Sequence, residues 1–218
     1  MSHVVKVKTV IKSLNALRRA AERCGLELVE GVSNYKWFGK FVGDSPMPDG
    51  FYWVDPATGK KYGHGKQKLG LCDHVLRVPG NQKAYEVGVY STGKDEYGII
   101  WDWWGAGYGL CEKIGRTQNG AEKLLDEYAF AVAEEVAHQN GWQCSRTPEG
   151  LEISIWDPVA NKMGTVTITA EGVDADGFVG GSCQDPVTRI ADAMGVATET
   201  VYKPEYFEQV SHIKETGY

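Results

Sequence analysis

The 218-residue chain has no excess of positive charge: 23 Lys and Arg stand against 29 Asp and Glu, a formal charge of −6. Without a basic surplus to neutralise phosphates, nucleic acid is excluded as the main partner. No apolar run approaches the roughly 18 residues of a membrane-spanning helix, and no signal-peptide pattern opens the sequence. The expected setting is therefore the cytoplasm, with no membrane partner. The five cysteines (Cys24, Cys72, Cys111, Cys144 and Cys183) contain no C-x-x-C pair and are odd in number, which points to free thiols in a reducing compartment. A zinc site built from Cys72, His74, His64 and a distant cysteine is the weaker alternative, because clustered pairs normally supply the ligands. H-E-x-x-H and a Ser–His–Asp spacing are both missing, so nothing demands an enzyme and no cofactor is expected.

What the chain has is aromatic density. Ile99-Ile100-Trp101-Asp102-Trp103-Trp104-Gly105 carries three of the seven tryptophans in four positions. β-Branched and aromatic residues in alternation predict a strand. On it Tyr97, Ile99, Trp101 and Trp103 share one face, and Ile100, Asp102 and Trp104 the other. Rings on both faces imply burial on both sides, or one face kept for a partner.

Around this strand the pattern predicts an α+β chain. A β-rich start leads to a helix capped by Ser13, with Leu14, Leu17, Ala21 and Cys24 at helical spacing and Gly25 as stop. A strand follows at residues 26–30. Residues 34–70 form an insertion rich in aromatics, with a turn at Asp55-Pro56 and a Lys- and Gly-rich stretch holding Lys60, Lys61, His64, Lys66 and Lys68. An exposed hairpin tip is the simpler account of that stretch; an anion-binding loop is the sharper one. A strand at 72–78 and a hairpin at 85–103 come next. A long helix to Gln139 buries Leu124, Leu125, Tyr128, Ala129, Val132 and Val136, and a second hairpin spans residues 142–156. Beyond Asp157-Pro158 the sequence predicts a small ββα unit, its helix capped by Asp185 with Pro186 at the first position.

Met1-Ser2-His3, the run Asp73-His74-Val75-Leu76-Arg77-Val78-Pro79-Gly80, Tyr85-Glu86-Val87-Gly88, Asp102-Trp103-Trp104-Gly105 and Leu125-x-x-Tyr128-Ala129 resemble the Ycf35-like (DUF1257) family, which recurs in bacteria and phages. The resemblance covers about residues 1–156, with the 34–70 segment as an elaboration. Gly177-x-x-Gly180-x-x-Cys183 and Lys203-Pro204-Glu205-Tyr206 are similar to the small DUF2997 domain. Neither family brings an established activity; their gene neighbourhood implies a protein partner, an AAA+ ATPase among the candidates.

From the order of elements, the expected architecture is a ferredoxin-like antiparallel sheet with helices on one face over residues 1–157, plus a ββα unit and tail over 158–218. The candidate binding residues are Trp101, Asp102, Trp103, Trp104 and Tyr108 as an aromatic wall, Lys60, His64 and Lys66 as anion ligands, and Arg77 as a partner for Asp102. Cys183, just before a helix start, is the candidate reactive thiol, set against a plain tight turn. The expected function is a non-enzymatic binding or adaptor protein. The alternatives are a protein sequestering a small anionic, nucleotide-like ligand, and a cysteine-based redox protein.

Overall fold

In the computed structural model, the residues described are 4–6, 10–37, 53–54, 61–62, 69–116, 120–170, 172–179 and 182–194. They form, in chain order, β1 (Val4–Lys6), α1 (Leu14–Arg23), β2 (Glu27–Glu30), β3 (Asn34–Lys36), β4 (Trp53–Val54), β5 (Lys61–Tyr62), β6 (Leu69–Leu71), β7 (His74–Arg77), β8 (Val87–Gly93) and β9 (Glu96–Asp102). A turn at Trp104–Gly109 then leads to α2 (Cys111–Ile114) and α3 (Glu122–Gln139), followed by β10 (Gln143–Arg146), β11 (Gly150–Asp157), β12 (Lys162–Thr169), β13 (Val173–Asp176) and α4 (Gln184–Met194). The fold is α+β with antiparallel sheets, as the periodicity predicts.

The chain divides into a first unit, Met1–Ala131, and a second, Val132–Tyr218. The boundary expected after Asp157 is corrected: β10 and β11 belong with β12 and β13 in one four-stranded meander. The reason is the β11–β12 ladder, which pairs eight residues on each strand, from Gly150 with Thr169 to Asp157 with Lys162. The small unit is thus four strands with α4, not two.

The first unit is built on a five-stranded sheet ordered β1-β9-β8-β7-β2. α1 forms because Ser13 Oγ accepts the Ala16 N–H at 3.0 Å while Ala16, Leu17, Ala20 and Ala21 supply a buried stripe. The Tyr128 hydroxyl of α3 accepts the Lys12 and Ser13 amides at 2.8 and 3.2 Å, tying the start of α1 to the long helix. Both faces of β9 are covered: Ile99, Ile100, Trp101 and Asp102 are each fully buried. Between the two explanations for rings on both faces, burial is the one realised.

β3 and β6 pair as a small second layer, and Tyr35 of β3 packs with Trp37, Cys72, Val75, Tyr90 and Ile100. Its ring needs glycine beneath it. A Cβ at Gly88 would lie 2.3 Å from the ring, and one at Gly70 2.4 Å. Those glycines are spaces shaped for one tyrosine. No helix among the described residues is long and apolar enough to cross a membrane.

Candidate functional site

β9 delivers the chain into an unusual turn. Gly105 (φ 61°, ψ 32°), Ala106 (53°, 27°), Gly107 (59°, 21°) and Tyr108 (52°, 42°) are four consecutive residues in the left-handed region. Glycine occupies that region freely, but each L-residue there costs about 1–2 kcal/mol, and it is ordinarily visited by single residues. Ala106 and Tyr108 carry that cost side by side with two glycines.

Hydrogen bonds and packing hold the turn. Asp102 Oδ1 accepts the Trp104 N–H at 2.9 Å. The Gly107 carbonyl accepts the Tyr85 N–H at 2.9 Å, and the Tyr108 carbonyl accepts Asn81 Nδ2 at 3.1 Å. Gly107 is buried, and a Cβ there would stand 2.9 Å from that of the fully buried Leu110. The result is an exposed aromatic, Tyr108, at 47% accessibility. Its ring meets Tyr85 edge-on at 5.2 Å and Trp104 at 6.1 Å.

Beneath the turn lies the sealed Asp102 carboxylate. Burial first, and then the Asp102 charge, pushes the Tyr85 hydroxyl up to about 12 and the Cys111 thiol to about 11. Tyr35 is raised well above the usual phenol value for the same two reasons.

A cleft of about 470 Å³ opens in the same unit, lined by Glu27, Lys36, Arg77, residues 78–82, Ala84 and Glu86. Asn81 joins it to the turn: its Nδ2 reaches Tyr108, while its Oδ1 accepts the Lys83 and Ala84 amides at 3.1 and 3.2 Å. One wall is a closed network. Arg77 Nε and Glu86 form an ion pair at 3.2 Å without a hydrogen bond, the other Glu86 oxygen accepts the Lys36 N–H at 2.9 Å, and Lys36 Nζ donates to the Gln82 carbonyl. Arg77 therefore serves Glu86, and the expectation that it would neutralise Asp102 is corrected.

Of the residues expected at the site, Trp101 is fully buried in the sheet, so it supports the wall without lining it. Trp103 and Trp104 are half-buried, and Tyr108 is the exposed member. Lys60, His64 and Lys66 lie outside the described residues. Cys183 belongs to the second unit, where its carbonyl accepts the Val187 amide at 3.1 Å in the first turn of α4. Burial, with the Asp157 charge behind it, raises its thiol, the opposite of the shift a helix-start thiolate would show. Among the described residues no group of three or more His, Cys, Asp or Glu side chains could hold a metal ion; Cys72 Sγ instead lies 3.0 Å from the Val32 carbonyl. Sequence reasoning missed Glu27, Lys36, Asn81 and Glu86 as cleft residues. Only Pro79-Gly80, read as a strand stop, and the Tyr85-Glu86 dipeptide marked the region.

The second unit carries its own surface feature. Trp156 and Met163, opposite one another on β11 and β12, are 55% and 48% exposed. Asp157, the next residue of β11, carries a buried carboxylate that accepts the Val159, Ala160 and Val179 amides and the Ser182 hydroxyl. Comparison with protein-family models, curated proteins and solved structures found no match to this chain. The reading of the site therefore rests on its geometry.

Proposed function

We propose that this chain is a non-enzymatic binding protein whose working surface is the Tyr108 turn together with the cleft that Asn81 joins to it. The observation that carries this reading is the four-residue left-handed turn. A fold retains strain of that kind where surrounding structure over-determines it, and such sites concentrate at ligand clamps and active centres. Here the strain presents one exposed ring beside a cleft within the size range of small-molecule sites. Five unpaired thiols favour the cytoplasm as its compartment.

The test is ligand-observed NMR of the full chain against a fragment library, repeated with Tyr108→Ala, which retains the backbone and removes the ring. Fragments whose signal depends on Tyr108 support the reading. A library in which every hit binds the variant equally well sinks it.

A second reading, an adaptor to a protein partner such as the AAA+ ATPase implied by the Ycf35-like resemblance, is favoured by the exposed cross-strand pair Trp156 and Met163. Binding of that ATPase, lost with Trp156→Ser but not with Glu152→Ser on the same strand, is its expected signature. Equal binding by both variants removes it.

A further inference from the structure

The cleft of the first unit combines two features that a packed surface would have cancelled. Glu27 and Arg77 are directly opposite one another on β2 and β7, so they share a face of the sheet and both line the cleft. Yet among the described residues Arg77 makes its ion pair with Glu86, through Nε, and Glu27 makes none. The ion pair lies on the Nε side, and among the described residues the two terminal guanidinium nitrogens have no partner. The other charged groups are occupied: Glu86 by Arg77 and the Lys36 amide, Lys36 Nζ by the Gln82 carbonyl. What remains available is one planar cationic fork, half in solvent, and one carboxylate a strand away.

We propose that this cleft is a receptor for a small zwitterion of the α-amino acid class, its carboxylate on the Arg77 fork and its ammonium on Glu27. The inference rests on the binding reading above and specifies the ligand. Charge balance selects the class. The four ionic side chains of the cleft sum to zero, so a bare anion drawn to Arg77 meets Glu27, and a bare cation drawn to Glu27 meets Arg77. A zwitterion answers both. The terminal guanidinium nitrogens match a carboxylate with two parallel hydrogen bonds, a geometry an ammonium cannot copy. A cleft of about 470 Å³ accommodates an amino acid with a large side chain.

Calorimetry on the full chain, with the standard α-amino acids and, for each, its amine-lacking and carboxylate-lacking analogue, tests the assignment. At least one amino acid should bind, and each of its single-charge analogues about tenfold more weakly. Glu27→Gln removes an exposed carboxylate that makes no ion pair among the described residues; it should weaken the amino acid about tenfold and strengthen the amine-lacking analogue, which then no longer faces a like charge. Arg77→Lys retains the charge facing Glu86 but loses the fork, and should weaken both ligands. An amine-lacking analogue that binds as tightly as its parent, or a Glu27→Gln chain that binds the parent undiminished, overturns the proposal. Tyr108-dependent fragments in the absence of any amino acid binding overturn the zwitterion while the binding reading stands. If neither fragments nor amino acids bind, both fall.

Discussion

Substitutions through residues 105–107 should give opposite signs from the same backbone. Gly105 is exposed and a Cβ there would meet nothing nearer than the Tyr108 ring at 3.8 Å, so Gly105→Ala tests conformation alone. The left-handed penalty of about 1–2 kcal/mol, offset by about 0.4–1 kcal/mol from a less flexible unfolded chain, leaves a net loss of about 1 kcal/mol. Ala106 is also exposed, with φ 53°. Ala106→Gly runs the same sum backwards and should stabilise by about 0.5–1 kcal/mol, although glycine ordinarily weakens a folded chain. Gly107→Ala adds a 2.9 Å approach to Leu110 Cβ, and overpacking of about 1–3 kcal/mol brings its loss to about 2–4 kcal/mol. The assay is urea denaturation followed by tryptophan fluorescence, which reports mostly on the first unit, since five of the seven tryptophans precede Ala131. A destabilised Ala106→Gly, or a neutral Gly105→Ala, would refute the left-handed assignment and with it the argument for strain.

Three further outcomes follow from the packing and the titrating groups. Gly88→Ala drives a methyl into the Tyr35 ring at 2.3 Å and should cost about 1–3 kcal/mol; adding Tyr35→Leu should recover part of that loss in a double-mutant cycle measured by the same urea assay. Asp157 is held below the usual carboxylate range, chiefly by the Ser182 hydroxyl and then by the Val159, Val179 and Ala160 amides, against the opposing effect of burial. A depressed folded pKa contributes stability that is present above the unfolded value near 3.8 and is lost as pH falls through the folded one. Urea midpoints between pH 2 and 6 should therefore drop less steeply in Asp157→Asn, and an unchanged acid limb would count against the network. Burial raises Cys24, Cys72 and Cys111 to about 11, 12 and 11, so at pH 8 these thiols should react with a disulfide reagent only as fast as the chain opens, after the half-exposed Cys144 and Cys183. Mass mapping of early labelling on Cys72 would contradict this order.

Local pattern made much of the fold legible. Ser13, Gly25 and the apolar stripe of α1 are short-range signals, and so are the alternation of β11 and the turn chemistry between β8 and β9. The unit boundary was not legible, because Asp157-Pro158 resembles a linker while the pairing of β11 with β12 depends on a ladder that no local signal announces. The candidate site was half visible. Tyr108 and Arg77 stood out by type, but Trp101 is core, and Asp102 is satisfied in part by the Trp104 amide two residues on. Composition cannot distinguish a tryptophan that lines a pocket from one that fills a sheet. Glu27 and Lys36 escaped notice because their meaning lies in register and in which neighbours stay unpaired, and a sequence carries neither. The left-handed turn hid behind its glycines: Gly105 and Gly107 suggest a loop, while Ala106 and Tyr108 argue against the conformation actually adopted.

The division between Ala131 and Val132 falls inside α3, so the two units hold one helix in common. Cutting the gene there would leave stubs of ten and eight helical residues, Glu122 to Ala131 and Val132 to Gln139, each below the roughly 12–15 residues at which an isolated helix becomes even marginal in water. Each stub also carries anchoring groups for its own side: Tyr128 and the Ala131 carbonyl hold Lys12, Ser13 and Arg19, while Glu134 pairs with Arg146. A dissection of this protein into halves therefore has to duplicate residues 122–139 in both pieces.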